Sequence, residues 1–330
     1  MLNSDIWKHQ MIIEPTIHSF SLRQHFAHKP GFDAIEFAKL ARSLGFQGLS
    51  LSLNDANYRH LGGKDTDRMD CLSAHLVSHK MSLEVDTSDT APAHMSEMLK
   101  VAHRMGASSL RTYTRHFGDI AGMIEATASD LAEVVDEAND LGIVIVLENH
   151  EDFTGPELVQ VIEKVDHQSL KILYDYGNSQ MVLEDPELAL TAVLPHVHSV
   201  HFKDHVMISA EHASQLTVAG VPIGDGFLPL ESLTRRLLDQ GLRRITFENV
   251  WAYTATICTG REPLSDVILG EGSFAYSTPP FDPSVVILNQ SEFDSEDLIK
   301  LEHDALIRGS KAFFNILTSL GATGDWAVVG

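Results

Sequence analysis

The sequence predicts a single α/β domain, a (β/α)8 barrel, and three observations predict it. Short apolar runs alternate with longer amphipathic stretches along the chain. They recur about every 25–35 residues, the length of one strand–helix unit. The runs are apolar almost throughout, as parallel strands buried on both faces are. A length of 330 residues with 44% hydrophobic content suits one such barrel. The rival is an open doubly wound sheet. That arrangement usually carries a Gly-rich phosphate loop after its first strand, and none follows IHSFSL.

The elements follow in order. Residues 1–16 read as an N-terminal extension before a first strand at 17–22, and FDAIEFAKLARSLG reads as the first helix, ending in glycine as helix C-caps prefer. Strands are then expected at 48–53, 81–86 and 109–113, with the amphipathic stretches RMDCLSAHLVSHK, APAHMSEMLKVAHRMG and ASDLAEVVDEANDLG after them. A fifth strand spans 143–148, and Thr154 with Glu157 three residues on forms a capping box for the next helix. A sixth spans 171–175, followed by Asp185 as N-cap and Pro186 as first helical residue. The last two runs are 198–202 and 244–248. Residues 252–292 break the rhythm with scattered Gly, Pro, Ser and Thr, and read as a lid or an interface excursion. SEDLIKLEHDALIRGSKAFFNILTSL reads as the closing amphipathic helix.

A formal charge of −22 repels a phosphate backbone, which argues against nucleic acid as a partner. Two cysteines, Cys71 and Cys258, exclude a disulfide framework and fit a reducing, cytoplasmic setting. The first residues lack the pattern of a secretory signal, and no apolar run approaches the roughly 20 residues of a membrane helix.

The polar residues that end the last four strands carry the chemistry. Glu148, Asp175, His201 and Glu248 each sit at the C-terminal end of an apolar run, and in a closed barrel those ends converge on one mouth. Each alone has an ordinary fate, as a solvated acid or a satisfied histidine. Together they make an oxygen-rich set with one imidazole, suited to Mn2+, Mg2+, Co2+ or Zn2+, with Mn2+ the expected ion. His150 lies two residues past Glu148, on the same side of an extended chain, and is a candidate base. Its ordinary alternative is hydrogen bonding to a carboxylate. Arg111, Tyr113, Asn178 and Lys203 are candidate substrate-binding residues, although Arg111 and Lys203 can equally form structural ion pairs. Glu84 is a further candidate on the third strand.

LENHED, YDYGNS, VHFKD with the downstream IGDGFLPL, and TFEN resemble the xylose-isomerase-like TIM-barrel superfamily over about residues 40–320. The resemblance implies that Glu148, Asp175, His201 and Glu248 bind one divalent metal, and that Glu148 and Glu248 also serve as acid and base where the family epimerises sugars. Two departures stand out. Asn178 replaces the histidine that the epimerases carry after the strand-six Asp, and Lys203 and Asp204 come two and three residues after His201 where those enzymes place an arginine further on. The extra ligands of the superfamily's endonucleases are missing. LENHED and DYGNS look most like 3-oxo-isoapionate decarboxylases and the larger subunit of C-glycoside deglycosidases.

These readings imply metal-assisted chemistry on a keto-sugar or sugar acid through an enediolate. Lyase chemistry, as decarboxylation or C-glycoside cleavage with His150, Glu148 and Glu248 catalytic, is the leading expectation. Isomerisation or epimerisation at the same site is the alternative, and a non-catalytic sugar-binding or assembly subunit is the alternative of another class. A homo-oligomer is expected, with a small partner subunit implied by the deglycosidase likeness.

Overall fold

A computed structural model describes residues 11–257, 260, 263–324 and 326. Eight parallel strands close into a barrel. They are β1 (Glu14–His18), β2 (Gly48–Ser52), β3 (Ser82–Asp86), β4 (Ser109–Thr112), β5 (Val144–Glu148), β6 (Leu170–Asp175), β7 (Val197–Phe202) and β8 (Arg244–Phe247). β8 closes the ring on β1, with Arg244 opposite Glu14 and Phe247 opposite Ile17. The barrel expected from the alternating pattern is therefore the fold.

The longer helices that follow the strands are α1 (Ala34–Ser43), α2 (Thr66–His79), α3 (Pro92–Met105), α4 (Ile120–Ala132), α5 (Gly155–Val165), α6 (Pro186–Val193), α7 (Leu230–Asp239) and α8 (Ser295–Ser319). Their starts are chemically marked. Asp33 caps α1 through the N–H groups of Ile35 and Glu36, and Asp185 caps α6 through Glu187 and Leu188, with Pro186 next in chain. The Thr154–Glu157 capping box is present at α5. Phe37 of α1 and Phe313 of α8 are buried in the core they share with Phe46 and with Phe247 of β8. None of the helices among the described residues is long and apolar enough to cross a membrane.

The first strand differs from expectation. It spans 14–18, not 17–22, and Ser19–Leu22 form a 3-10 turn. The alternation in IHSFSL mimics a strand, but the serines have other uses. Ser19 Oγ accepts the N–H of Ser52, and Ser21 Oγ accepts that of Asn249. These bonds turn the chain out of the sheet and leave His18 at the strand's end. Glu14–Thr16 thus belong to the barrel and not to an extension, while residues 1–10 lie outside the described residues. Met11–Ile12 pair in parallel with Ala322–Thr323 at the opposite end of the barrel from the mouth.

Between β7 and α7 the chain forms a hairpin, Asp204–Ile208 with Thr217–Val221, that the reading of the sequence misses. The first residues of the long excursion, Thr254–Thr256, add a third strand to it. Phe274 and Val286 of the excursion are buried against its two faces. IGDGFLPL closes the hairpin onto its own start. The Asp204 carboxylate accepts N–H groups from Gly224 and Gly226 at 3.0 Å and from Leu228 at 3.3 Å. A Cβ at Gly226 would lie 2.1 Å from Asp204 Oδ1, so only glycine fits there.

The barrel axis is polar. Glu84 points inward and accepts hydrogen bonds from Ser50 at 3.2 Å, Ser109 at 2.8 Å and Ser199 at 3.1 Å. It lies one layer below the mouth, so the carboxylate that β3 brings to the site is Asp86, two residues on.

Candidate active site

Glu148 and Asp175 end β5 and β6, His201 is the penultimate residue of β7, and Glu248 follows β8. All four are buried. Nδ1 of His201 lies 3.0 Å from Glu148 Oε1, 3.7 Å from Asp175 Oδ2 and 3.8 Å from Glu248 Oε2. Glu148, Asp175 and His201 each offer one ligand atom, all within 4.8 Å of one another. Glu248, expected as a fourth ligand, stands slightly apart, because His18 draws its Oε1 to 3.2 Å.

Cationic and imidazole side chains around the mouth supply counter-charges. Arg111 of β4 donates through Nη2 to Glu148 and sits 3.6 Å from Asp86. His18 Nε2 is 3.1 Å from Asp86 Oδ1. Lys203 Nζ lies 2.8 Å from Asp175 Oδ2 and 3.6 Å from Glu248 Oε2, and donates to Asn178 Oδ1 at 2.9 Å. Taken round the mouth, Lys203, Asp175, His201, Glu148, Arg111, Asp86, His18 and Glu248 alternate base and acid and close on Lys203. Asn149 braces the ring from outside, bonding the backbone of Asp175 through both ends of its amide.

The field of this ring sets its protonation. Burial pushes the His201 ring down, but Glu248, Asp175 and Glu148 outweigh it and carry it up to about 10. Burial alone would raise Glu148, yet Arg111 and His201 hold it well below the usual carboxylate range. Glu248 is lowered likewise, with Lys203 and His201 overcoming its burial. His150 is the exception. Burial pushes it down to about 4, so it is neutral at pH 7.

A cavity of about 160 Å3 opens over the ring. His150 lines it, its ring stacked on Tyr113 with centroids 3.8 Å apart. Arg111 lies over the Tyr113 ring at 4.6 Å, so Tyr113 steadies both neighbours. Tyr253, the second residue of the long excursion, also lines the cavity, and its hydroxyl donates to Glu151 at 2.9 Å. A larger depression of about 510 Å3 sits at the far end of the barrel around Glu14, Val144 and Arg244. Those residues begin their strands, and barrel chemistry sits at the strands' C-terminal ends.

The residues present fit a divalent ion. Asp175 Oδ2, Glu248 Oε2 and His201 Nδ1 are buried and make ion-pair contacts without a hydrogen bond, and His201 Nε2 has no hydrogen-bond partner among the described residues. Buried polar atoms left in that state are a ready donor set, and carboxylates with one imidazole suit hard or borderline cations.

The structure thus brings together all the expected residues: Glu148, Asp175, His201, Glu248, His150, Asn178, Lys203, Arg111 and Tyr113. His18, Asp86, Glu151 and Tyr253 were not anticipated. Asp86 ends an apolar run in the same way as Glu148 does, so that signal was available. His18 was hidden by the misplaced first strand.

A family model described as the xylose isomerase-like TIM barrel matches residues 25–262. The chain is 27% identical over 202 residues to the uncharacterized protein YihM of Escherichia coli strain K12, and the match covers 61% of each chain. Among solved structures, D-psicose 3-epimerase from Clostridium cellulolyticum H10, crystallised with D-tagatose, superposes with a TM-score of 0.62 at 14% identity, covering 92% of this chain and 99% of that one. A xylose isomerase-like TIM barrel protein from Mycobacterium smegmatis, in complex with magnesium, superposes with a TM-score of 0.59 at 17% identity over 94% of this chain and 98% of that one. Those structural likenesses speak to the barrel, while the family match spans most of the sequence: this chain belongs to the xylose isomerase-like TIM-barrel family.

Proposed function

We propose that this protein is a divalent-metal-dependent enzyme that removes a proton from carbon beside the carbonyl of a sugar, with His150 as the base. Glu148, Asp175, His201 and Glu248 would hold the ion, with Mn2+ the expected one. When bound, the ion supplies Lewis-acid polarisation of a carbonyl and its neighbouring hydroxyl, which acidifies the hydrogen between them.

The observation that carries the reading is the contrast between His150 and its neighbours. Both glutamates are engaged in ion pairs, Glu148 with Arg111 and His201, Glu248 with Lys203, His201 and His18. His150 is neutral, lines the cavity, and is oriented by its stack on Tyr113. A single free base supports chemistry on one face of the substrate. That favours lyase outcomes, as the LENHED and DYGNS likeness to decarboxylases and deglycosidases implied. Arg111 and Lys203 orient the acids, Asn178 is offered to a substrate hydroxyl beside Lys203, and the Tyr253–Glu151 pair covers the cavity against water.

A second reading, isomerisation or epimerisation, is favoured by Glu148 and Glu248 standing on β5 and after β8, at different sides of the mouth. One assay separates the two. The purified, metal-loaded chain is incubated with candidate keto-sugars in deuterium oxide. Release of CO2 or of a free aglycone supports the lyase, and deuterium in an unfragmented sugar supports the isomerase. His150→Gln should reduce either rate by about 10²–10⁴-fold. Full activity in that variant would remove His150 from the mechanism. A metal-free protein of undiminished activity would end the whole proposal.

A further inference from the structure

We infer that the cavity selects an uncharged polyhydroxylated carbonyl compound and discriminates against sugar acids and sugar phosphates. The inference rests on the reading above, in which this cavity holds the substrate, and it narrows the substrate class.

Both fixed cations of the cavity wall are already taken. Arg111 donates to Glu148 through Nη2 and to the Thr87 carbonyl through Nη1 at 3.2 Å, with Asp86 beside it. Its Nε makes no hydrogen bond and is shut off from solvent. The Lys203 ammonium has three donors and faces three acceptors, Asn178 Oδ1, Asp175 Oδ2 and Glu248 Oε2. A substrate carboxylate or phosphate would have to take one of these cations from a buried protein acid. The displaced acid would stay in place without its partner, which is the costly way to break a buried pair.

The balance of charge points the same way. Asp86, Glu148, Glu151, Asp175 and Glu248 are five carboxylates at the cavity, against the two cations Arg111 and Lys203. Even with His18 and His201 counted as cations, the five carboxylates outnumber the four positive side chains of the metal-free cavity. An anionic ligand enters against that field, and a neutral one does not. The remaining surface suits a polyol. Ser52 and Asn54 bring a hydroxyl and an amide, while Phe20 and Val250 bring apolar area. Decarboxylation needs a substrate carboxylate in this wall, so among lyase outcomes expulsion of an uncharged group from a neutral keto-sugar fits better.

Calorimetric titration of the full chain, metal-free and Mn2+-loaded, tests the inference with D-fructose, D-fructose 6-phosphate and 2-keto-D-gluconate as probes. The expected order is fructose first, with each anion weaker by about tenfold or more. Glu151→Gln should narrow that gap by relieving the wall of one charge. Tighter binding of either anion, an unchanged gap in Glu151→Gln, or no binding by any probe overturns the inference. Solvent deuterium exchange into the bound probe is scored separately. Ligands bound in the expected order without exchange would sink the proton-abstraction reading and leave the charge selection standing.

Discussion

The two halves of the barrel mouth are built to opposite rules. From β5 to β8 the strand ends carry Glu148, Asp175, His201 and Glu248, the atoms that can grip an ion. From β1 to β4 they carry His18, Asp86 and Arg111, whose contacts reach Glu148 and Glu248 on the adjoining strand ends. One half presents donors and the other holds them still. The difference teaches that a cluster of buried acids does not stand alone. Like charges gathered in a low-dielectric mouth repel and would protonate, and cations from both halves, Arg111 on one and Lys203 with His201 on the other, keep them ionised.

The sharpest way to break this division is at Arg111. Arg111→Met leaves Glu148 buried without its partner, and urea denaturation should show a loss of about 3–5 kcal/mol. Arg111→Met combined with Glu148→Met should recover most of it. A cost no larger than that of an exposed pair would mean that the halves are independent. On the gripping side, Glu148→Gln should abolish stoichiometric Mn2+ binding by calorimetry and cut turnover by on the order of 10²–10³-fold, the cost of losing one electrostatic stabiliser. The same substitution at Glu84, one layer lower, should leave metal affinity unchanged.

The bracing half also predicts a pH dependence. His60 is buried against Phe26, and its Nδ1 accepts the Ser19 hydroxyl at 2.9 Å, next in chain to His18. Burial pushes it down to about 4 from the ordinary 6.5. The unfolded chain therefore binds a proton that the fold refuses. Stability contributed by the neutral ring is full above pH 6.5 and falls as pH drops from 6.5 towards 4, by roughly 3 kcal/mol. Thermal unfolding across that window should show the loss, and His60→Gln should flatten it. A smaller effect is expected at Asp86→Asn, which loosens His18 and with it Glu248. Metal affinity should fall about 10–100-fold, as for other partners behind a ligand. The smallest is Tyr253→Phe, which removes one hydrogen bond to Glu151. A KM change of a few-fold at constant stability, about 1 kcal/mol, is the expected signature.

The gripping half was legible because its chemistry is written at the ends of uninterrupted apolar runs. IVIVLE and KILYD announce strand and ligand together, and the barrel brings the ends to one place. The bracing half was not. His18 sits inside IHSFSL, where alternation continues past the true strand end because Ser19 and Ser21 serve as hydrogen-bond acceptors for distant strands. Glu84 and Asp86 are two residues apart on one face, and only the depth of the barrel decides which reaches the mouth. The hairpin at 204–221 escaped for a different reason. Its strands pair with each other and with Thr254–Thr256, so the evidence for them lies in long-range partners and not in local periodicity.

Asp204 acts as a mechanical joint. Its side chain clasps the return of the hairpin, and the residue before it is Lys203, whose ammonium lies between Asp175 and Glu248. Clasp and ammonium are rigid neighbours on one stretch of backbone. Any tug on the flap above the barrel is therefore delivered, within a single peptide unit, to the positive charge that separates two of the acids.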